Sequence, residues 1–446
     1  MSKTDNSTLG RAGIILIAVL ALACSTPHAL AQAETWAAKA PMPTARDALV
    51  VGVIDGMLYA VGGEIPSSGP NVALGSVEAY DPRSNSWTSK SVMPTPRYGA
   101  GGAVVGGVLY VVGGLDSSNF PTNAVESYNA KSGTWTREAP LPTARAGLVL
   151  VALDGSLYSI GGFRPGFNNT NYSTVEEFSP KTNAWIAKAP MPTARCCMAA
   201  GVINGLVFVA GGTRYIGHGG TETPGVLEVY DPKQNVWTTG ATMPTGRGGA
   251  AGDVLDGKLY VAGGILAPLY TYLIQDTVEA YDPDKSSWVT EPSMPTGRLS
   301  AGAATIDDTL YVVGGLDREN RVLSVNEAFS PFLAVLIDIK PGDPNNVINL
   351  KSGGVVPVAI LGSASFDATS VDPTTVTVAG APVALRGNGS PMTAVADVNG
   401  DGFPDLLVYF RTRKLQLTPA DTEAVLYGKT YSGEPIRGSD NVKVIN

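Results

Sequence analysis

Histidine and cysteine are scarce in this 446-residue chain, which holds two histidines and three cysteines. Zinc and copper sites that need several imidazole or thiolate ligands are therefore disfavoured, and no disulfide framework is available to stabilise the fold. Charged residues make up only 16% of the sequence and the net charge is −8, so no basic surface for binding nucleic acid is expected.

Long apolar runs are also missing, except for one near the N-terminus over residues 12–23. Two basic residues precede this run, and a small-x-small sequence at residues 29–31 follows it. The run is too short to span a bilayer, and the arrangement predicts a signal peptide over residues 1–31 with export of the mature chain. Lipidation of Cys24 is an alternative, but the residues before this cysteine match a lipobox poorly. No other apolar stretch is long enough for a membrane anchor.

Glycine, by contrast, is abundant, with 53 residues, and its placement reveals an internal repeat of about fifty residues. Six units each contain a Gly-Gly pair that begins at Gly62, Gly113, Gly161, Gly211, Gly263 or Gly314. The six tryptophans follow the same spacing, at Trp36, Trp87, Trp135, Trp185, Trp237 and Trp288. Each unit also has an MPTAR-like segment that ends at Arg46, Arg97, Arg145, Arg195, Arg247 or Arg298. Because three features recur together, we take the repeat to be structural.

Each unit reads as four short strands separated by turn signals. In the first unit the strands correspond to residues 48–54, 58–63 and 77–80, followed by the segment that carries the tryptophan. In five units a glycine lies in the turn between the first two strands, where a tight hairpin needs positive φ, and Asp308 takes its place in the sixth. This pattern predicts radial β-sheets and no long helices.

The double glycine, the aromatic residue of the third strand and the tryptophan seven positions later resemble the kelch repeat over roughly residues 34–331. The resemblance implies four-stranded blades around a central axis. Phe329 has no tryptophan seven residues later, whereas Trp36 has no three strands before it. We therefore predict an all-β, six-bladed kelch-type β-propeller over residues 32–331, with the N-terminal strand closing the last blade. The six arginines are assigned a structural role, in which each guanidinium binds backbone carbonyls.

One face of the propeller carries the candidate binding residues, because its loops between the second and third strands are longer and more variable than the others. The kelch resemblance implies that residues just after each Gly-Gly and just after each arginine point toward the central opening. These residues include Asp47, Glu64, Tyr98, Asp116 and Phe163. Further along the loops, the candidates are Arg164, Arg214, Tyr215, His218, Tyr270 and Arg318. Such a mixture suits recognition of a protein or a glycan, although any single member can equally be a solvated loop residue.

Some kelch propellers are enzymes, and the sequence disfavours one class of them. The copper site of galactose oxidase-like proteins needs two histidines, two tyrosines and a cysteine crosslink, whereas the mature chain has one histidine, His218. Epimerases and mutarotase-like enzymes with kelch-like propellers use groups that leave no local signature. A carbohydrate-active enzyme therefore stays open as an alternative, and no residue is assigned a catalytic role.

The mature chain retains two neighbouring cysteines, Cys196 and Cys197, which we place at the start of the first strand of the fourth unit. Adjacent side chains of a strand point to opposite faces, so a bond between these two would strain the peptide. Two small, partly buried thiols are expected, and a redox role or a vicinal disulfide is the alternative.

The repeat stops at residue 331, and residues 332–446 are predicted to form a smaller β-sandwich-like domain. Its expected strands include residues 335–339, 355–361, 376–378, 383–385 and 406–410. The segments IDIKPG and GKTYSGEPIRGSD resemble a domain found at the C-termini of bacterial extracellular proteins.

One loop of this C-terminal region carries an alternating pattern of oxygen-bearing residues that predicts a structural Ca²⁺ site. The expected ligands are the side chains of Asp397, Asn399, Asp401 and Asp405, together with the carbonyl of Phe403. The EF-hand glutamate is absent and the flanking segments are strands, so the loop resembles the calcium loops of FG-GAP repeats. A turn without metal is the alternative.

These observations favour an exported, non-enzymatic binding protein that recognises a protein or a glycan through the loop-rich face. A deep pocket with two or three convergent carboxylates would instead favour a carbohydrate-active enzyme. A surface or matrix component that is attached through residues 332–446 is the third hypothesis.

Overall fold

The computed structural model describes residues 36–67, 71–166, 169–217, 220–267 and 272–445. The predicted signal peptide, with Cys24, lies outside these ranges. Within them, the helices are two short 3₁₀ segments, Ala368–Ser370 and Thr412–Lys414, and no helix is long and apolar enough to cross a membrane. All other regular structure in this part of the chain is β-strand, in agreement with the predicted all-β class.

Six four-stranded antiparallel sheets form the blades of the propeller. The first strand of the chain is β1 (Trp36–Ala38), and blade one contains β2 (Val50–Ile54), β3 (Met57–Val61), β4 (Glu64–Ile65), β5 (Val72–Ala73), β6 (Val77–Asp81) and β7 (Ser86–Lys90). Blade two contains β8 (Gly101–Val105), β9 (Val108–Val112), β10 (Val125–Asn129) and β11 (Thr134–Arg137). Blade three contains β12 (Val149–Leu153), β13 (Ser156–Ile160), β14 (Phe163–Arg164), β15 (Thr170–Asn171), β16 (Val175–Ser179) and β17 (Ala184–Ala187).

The remaining blades repeat this order. Blade four contains β18 (Ala199–Ile203), β19 (Leu206–Ala210), β20 (Arg214–Gly217), β21 (Gly220–Glu222), β22 (Leu227–Asp231) and β23 (Val236–Thr239). Blade five contains β24 (Ala251–Leu255), β25 (Lys258–Ala262), β26 (Ile265–Leu266), β27 (Leu273–Ile274), β28 (Val278–Asp282) and β29 (Ser287–Glu291), and blade six adds β30 (Gly302–Ile306), β31 (Thr309–Val313) and β32 (Asn326–Phe329). The pairs β4–β5, β14–β15, β20–β21 and β26–β27 form small two-stranded sheets in the loops of blades one, three, four and five.

The N-terminal strand closes the ring, as the sequence predicts. Strand β1 pairs antiparallel with β32, and Trp36 lies opposite Phe329 with their ring centroids 5.1 Å apart. The indole nitrogen of Trp36 donates a hydrogen bond of 2.8 Å to the Pro292 carbonyl in the neighbouring blade. Because the two ends of the propeller share one sheet, β32 is paired on both sides and β1 takes the outer position that the fourth strand holds in the other blades.

Hydrophobic packing between neighbouring blades forms the core of the propeller. One cluster joins Val50 and Tyr59 of blade one to Leu109 and Tyr128 of blade two, and similar clusters lie between the other blades. The second and third strands are buried on both faces, whereas the tryptophan-bearing fourth strands are largely exposed. The repeated tryptophans therefore pack against the third-strand aromatic residue of their own blade; the Tyr128 and Trp135 rings, for example, are 5.0 Å apart.

Each repeated arginine is buried and forms an ion pair with a glutamate of the third strand in the same unit. The pairs are Arg46–Glu78, Arg97–Glu126, Arg145–Glu176, Arg195–Glu228, Arg247–Glu279 and Arg298–Glu327. The same guanidinium groups also donate to backbone carbonyls, as predicted; Arg97, for example, bonds the Val111 oxygen at 3.0 Å. The glutamate partner was not predicted, although a glutamate stands two positions before the third-strand aromatic in every unit.

The C-terminal region consists of two main sheets around one hydrophobic core. Its strands are β33 (Leu333–Ala334), β34 (Ile337–Ile339), β35 (Val347–Asn349), β36 (Val355–Ile360), β37 (Val371–Val378), β38 (Ala381–Pro382), β39 (Thr393–Ala396), β40 (Asp405–Arg411), β41 (Glu423–Thr430), β42 (Pro435–Asn441) and β43 (Lys443–Ile445). One sheet has the order β33-β42-β41-β37-β38 and the other has the order β34-β36-β40-β39, while β35 and β43 form a separate pair.

The predicted strand over residues 383–385 is wrong. Val383 and Leu385 each make only an isolated bridge, and the strand at this position is Ala381–Pro382. The Leu385 side chain is exposed, so the apolar residue that suggested a strand does not face the core. Apolar alternation over three residues is too short to identify a strand by itself.

Asp308, which replaces the turn glycine in blade six, contacts the C-terminal region. Its carboxylate accepts a hydrogen bond from the Tyr427 hydroxyl and lies 3.5 Å from the Nε of Arg437. The Tyr427 ring also packs against Phe332, with the centroids 5.6 Å apart. A carboxylate at this turn therefore has a structural function that glycine could not provide.

Candidate functional site at the mouth of the central channel

A closed ring of backbone hydrogen bonds surrounds the propeller axis on the loop-rich face. The ring residues are Ala48, Gly99, Gly147, Cys197, Gly249 and Ser300, one from each blade, and each lies two positions after a repeated arginine. Every ring residue donates its N–H to the carbonyl of the ring residue in the preceding blade, at 2.7–2.9 Å. All six have φ between +49° and +61°, so the chain turns here and the inner strands begin only afterwards.

This turn corrects two strand boundaries. Residues 48–54 were predicted as the first strand of blade one, but β2 begins at Val50 because Ala48 belongs to the ring. For the same reason Cys196 and Cys197 do not begin a strand, and β18 starts at Ala199. The positive φ of the ring positions could not be read from the apolar pattern, because only three of the six residues are glycines.

A cavity of about 230 Å³ lies at this ring. We call it the mouth pocket and define it by six of its lining residues, of which Cys197 alone belongs to the ring: Asp47, Glu64, Tyr98, Leu115, Phe163 and Cys197. Four of these residues, the two acids together with Tyr98 and Phe163, were predicted to face the central opening. Leu115 and Cys197 were not among the predicted site residues. Leu115 follows its Gly-Gly pair directly, as Glu64 and Phe163 do, whereas Cys197 lies at a ring position, for which no site residue was predicted.

Asp47 and Glu64 form the acidic side of the mouth pocket. Their backbones exchange two hydrogen bonds, of 3.2 and 3.0 Å, which places their side chains next to each other. The residues are only 5% and 9% exposed, yet Asp47 Oδ1 and Glu64 Oε2 have no hydrogen-bond partner. Burial, reinforced by the nearby Glu64 charge, raises the pKa of Asp47 to about 7, and burial also raises the pKa of Glu64. The pair is therefore ready to accept hydrogen bonds from a bound donor.

Aromatic and aliphatic side chains form the rest of the mouth pocket wall that we define. The Tyr98 hydroxyl donates to Asn119 Oδ1 at 3.0 Å, and burial raises the pKa of this phenol to about 12, so it stays neutral. Phe163 packs against Tyr215, with the ring centroids 5.4 Å apart. Apolar side chains that share a pocket with two unpartnered carboxylate oxygens suit a ligand group with a long apolar stem and a polar end.

The other predicted binding residues lie away from the mouth pocket. Asp116 accepts hydrogen bonds from the Ser118 and Phe120 amides, so it shapes its own loop. The remaining basic side chains are exposed around the rim: Arg164, Arg214 and Arg318. His218 and Tyr270 fall outside the residues that the structure describes.

The predicted calcium loop is a compact turn between β39 and β40. Asp405 is fully buried, and its two carboxylate oxygens accept the amides of Gly362 and Val398, each at 2.8 Å. Asp397 accepts the amides of Gly400 and Gly402, at 2.8 and 2.9 Å. Among the described residues, no group of three or more His, Cys, Asp or Glu side chains is gathered as a metal cluster. The Ca²⁺ site stays a prediction.

Comparisons with known protein families agree with the blade structure. Residues 28–212 match the family model described as the KLHDC2/KLHL20/DRC7 Kelch-repeats domain, and residues 194–244, 246–295 and 297–331 match the Kelch motif. In the C-terminal region, residues 393–414 match the FG-GAP repeat.

Curated relatives and a solved structure are similar to part of this chain. "Kelch-like protein terF" of Aspergillus terreus is 40% identical over 101 residues, which are 22% of this chain and 22% of the relative. "Kelch-like protein 15" of Danio rerio is 31% identical over 266 residues, which are 59% of this chain and 37% of the relative. The chain thus spans less than half the length of these relatives. The solved "Structure of YjhT" superposes with a TM-score of 0.55 at 16% identity, covering 68% of this chain and 97% of that one, which shows a shared fold.

Two kelch models together match residues 28–331, and the six blades, their closure and their repeated glycine, tryptophan and arginine positions agree with that match. The chain therefore belongs to the kelch-repeat family.

Proposed function

We propose that this protein is an exported recognition protein that binds a partner protein through the loop-rich face of its propeller. In this proposal, a lysine or arginine side chain of the partner enters the mouth pocket. The observation that carries the proposal is the pair of buried carboxylates, Asp47 and Glu64, each with an oxygen that has no hydrogen-bond partner. Kelch propellers are typical protein-interaction folds, and the family assignment supports the same reading.

Charge and size both favour a basic side chain as the bound group. A cation next to Asp47 and Glu64 compensates the desolvation that raises the pKa of Asp47, and it supplies donors to the unpartnered oxygens. The cavity of about 230 Å³ is smaller than the roughly 300–1,000 Å³ typical of small-molecule sites. It therefore suits one anchoring side chain of a larger partner better than an entire small-molecule ligand.

Basic loop residues outside the mouth pocket add a second element of specificity. Arg164, Arg214 and Arg318 are exposed on loops of the same face, where Arg214 lies 3.5 Å from Glu222 and Arg318 lies 3.8 Å from Asp276 in exposed ion pairs that a partner's acidic residues would compete with. A partner that places a basic residue in the centre and acidic residues around it would match both charges. The expected recognition sequence is thus a basic residue flanked by acidic ones.

A peptide array tests the proposal. The probes are peptides with a central Arg or Lys and acidic flanks, the same peptides with a central Leu or Glu, and scrambled forms; a glycan array is run in parallel. Wild type should retain the basic-centred peptides, and the double variant Asp47→Asn with Glu64→Gln should lose them. Asp116→Asn, in the adjacent blade, is the matched control and should bind like wild type. Retention that ignores the central residue, or binding of glycans alone, would contradict the proposal.

A carbohydrate-active enzyme is the second candidate, because two carboxylates converge in a pocket and one of them, Asp47, has its pKa raised to about 7. Such a group can exchange protons at neutral pH. The test is whether the protein accelerates mutarotation or epimerisation of reducing sugars, followed by NMR, and whether Asp47→Asn abolishes the effect. Equal rates with and without protein would remove this candidate.

We also propose that the loop from Asp397 to Asp405 binds a structural Ca²⁺ and that residues 1–31 direct export. The donors are all oxygens, which Ca²⁺ prefers, and Gly400 and Gly402 have positive φ that permits a tight loop. Exchange of the present amide contacts for metal contacts would cross-link β39 to β40. For export, mass spectrometry of the protein from a secreting host should identify Gln32 as the first residue.

A further inference from the structure

Cys196 and Cys197 lie where the mouth pocket meets the axial ring. Cys196 exchanges two backbone hydrogen bonds with Thr213, of 2.9 and 2.7 Å, and Cys197 is the ring residue of blade four. Because Cys197 has a φ of +55°, the chain is not extended here and its two side chains do not alternate across a sheet. The expectation that the two sulfurs point to opposite faces is therefore wrong.

The two sulfur atoms are held close together in a chemically asymmetric setting. Their Sγ atoms are 3.2 Å apart. Cys196 is fully buried, whereas Cys197 is half-buried and lines the mouth pocket. Burial raises the pKa of the Cys196 thiol well above its ordinary value, while the side-chain hydrogen bond between the two cysteines lowers the pKa of the Cys197 thiol. The accessible Cys197 sulfur is thus the better nucleophile, and the buried Cys196 sulfur lies close enough to attack a disulfide formed on Cys197.

We propose that Cys196 and Cys197 are a redox site at the rim of the mouth pocket, which exchanges reversibly between a dithiol and a vicinal disulfide. The oxidant is a small disulfide, RSSR, of the glutathione class. The Cys197 thiolate attacks one sulfur and releases RS⁻, and the Cys196 sulfur then displaces the second RS⁻ from Cys197 as the protein S–S bond forms. The protein loses two electrons and two protons, and RSSR becomes two RSH.

The surroundings of the two cysteines favour the Cys196–Cys197 disulfide over a stable mixed disulfide between Cys197 and RS. A methyl group placed on Gly147 would lie 3.0 Å from the Cys197 sulfur and 3.1 Å from the Phe163 ring, so the Cys197 sulfur is closely packed on the Gly147 side, and the nearest group that can displace a thiol from it is the Cys196 sulfur. The backbone of both cysteines is already fixed by the ring and by Thr213, so closing the bond needs no distant rearrangement. Adjacent Cα atoms lie about 3.8 Å apart, less than the roughly 4.4–6.8 Å usual for disulfides, which keeps the bond easily reducible.

The other blades provide conservative substitutions at both positions. Ser300 occupies the ring position with a φ of +53°, so Cys197→Ser should fold. Ala146 occupies the position of Cys196 and is fully buried, so Cys196→Ala should also fold. Near-ultraviolet circular dichroism of the reduced proteins checks that both variants keep the native packing.

The experiment equilibrates the mature protein with mixtures of reduced and oxidised glutathione, quenches with acid, and measures free thiols and intact mass. Wild type should lose both thiols in one step, with a mass lower by two hydrogens and no retained glutathione. Cys196→Ala should retain one glutathione on Cys197, whereas Cys197→Ser should remain unmodified because Cys196 is buried. Wild type that keeps both thiols at every glutathione ratio, or that accumulates a stable glutathione adduct, would overturn the proposal.

Discussion

Removing the carboxylate of one buried ion pair gives the sharpest stability test of the blade architecture. In blade two, the Arg97 guanidinium bonds Glu126 at 2.6 Å, and the Thr95 hydroxyl donates to the same carboxylate at 2.8 Å. The pair is almost fully buried. The substitution Glu126→Ala removes both contacts and leaves the guanidinium buried with backbone carbonyls as its only partners from this network.

The expected cost follows from that burial. An ion pair that is removed on one side leaves an uncompensated charge in a low dielectric, which costs about 3–5 kcal/mol. Domains of ordinary stability unfold with about 5–15 kcal/mol, so the variant should lose a large part of its stability. The double variant Arg97→Met with Glu126→Leu removes both charges together, and we expect it to be more stable than Glu126→Ala.

Urea unfolding followed by tryptophan fluorescence measures the effect, and Glu222→Ala is the matched control. Glu222 pairs with Arg214 at 3.5 Å, but both side chains are about half exposed (50% and 51%). Such surface pairs contribute roughly 0–1 kcal/mol, so this control should unfold near the wild-type urea concentration. Equal midpoints for Glu126→Ala and Glu222→Ala would refute the structural role of the repeated arginine–glutamate pair.

Three further outcomes are expected. Calcium should raise the melting temperature of the wild type and a chelator should lower it, and Asp401→Ala should show no calcium-dependent shift; an identical shift in the variant would contradict the calcium prediction. Trp36→Ala should cost about 3–5 kcal/mol because it removes the Phe329 contact and leaves a cavity where the ring closes; melting like the wild type would contradict the closure. The pKa of Asp47 rises from 3.8 to about 7 in the folded state, so the folded protein keeps a proton that the unfolded chain releases. The free energy of unfolding should therefore fall as the pH rises from about 4 to about 7, and Asp47→Asn should reduce that slope; an unchanged slope would show that Asp47 is not the titrating group.

Most of the propeller could be predicted from the sequence because its units repeat. Gly-Gly pairs, tryptophans and arginines at one spacing identify six units, and Trp36 without its own three strands identifies the closing strand. Part of the mouth pocket could be predicted for the same reason, since Asp47 and Tyr98 directly follow a repeated arginine and Glu64 and Phe163 directly follow a Gly-Gly pair. The glutamate partners of the arginines also recur once per unit, so periodicity could have identified them as well.

The strands and contacts of the C-terminal region were harder to predict from the sequence, because the region contains no repeat that would show which positions are equivalent. Residues 383–385 make only isolated bridges after β38, although their apolar alternation predicted a strand. Three alternating residues carry too little information about which face is buried. The role of Asp308 was likewise hidden, because its partners Tyr427 and Arg437 are more than a hundred residues away. Long-range partners of this kind leave no local pattern.

Sequence alone determined the number of blades, their strand order and the closure, because each blade depends on local strand and turn preferences and the same pattern of these recurs in six units. Tertiary structure decided what the centre of the propeller contains. The six ring residues lie far apart in the chain and acquire their positive φ only when their backbones meet around the axis. That same turn brings the sulfurs of Cys196 and Cys197 to 3.2 Å from each other, and burial beside the ring leaves one oxygen of Asp47 and one of Glu64 without a hydrogen-bond partner.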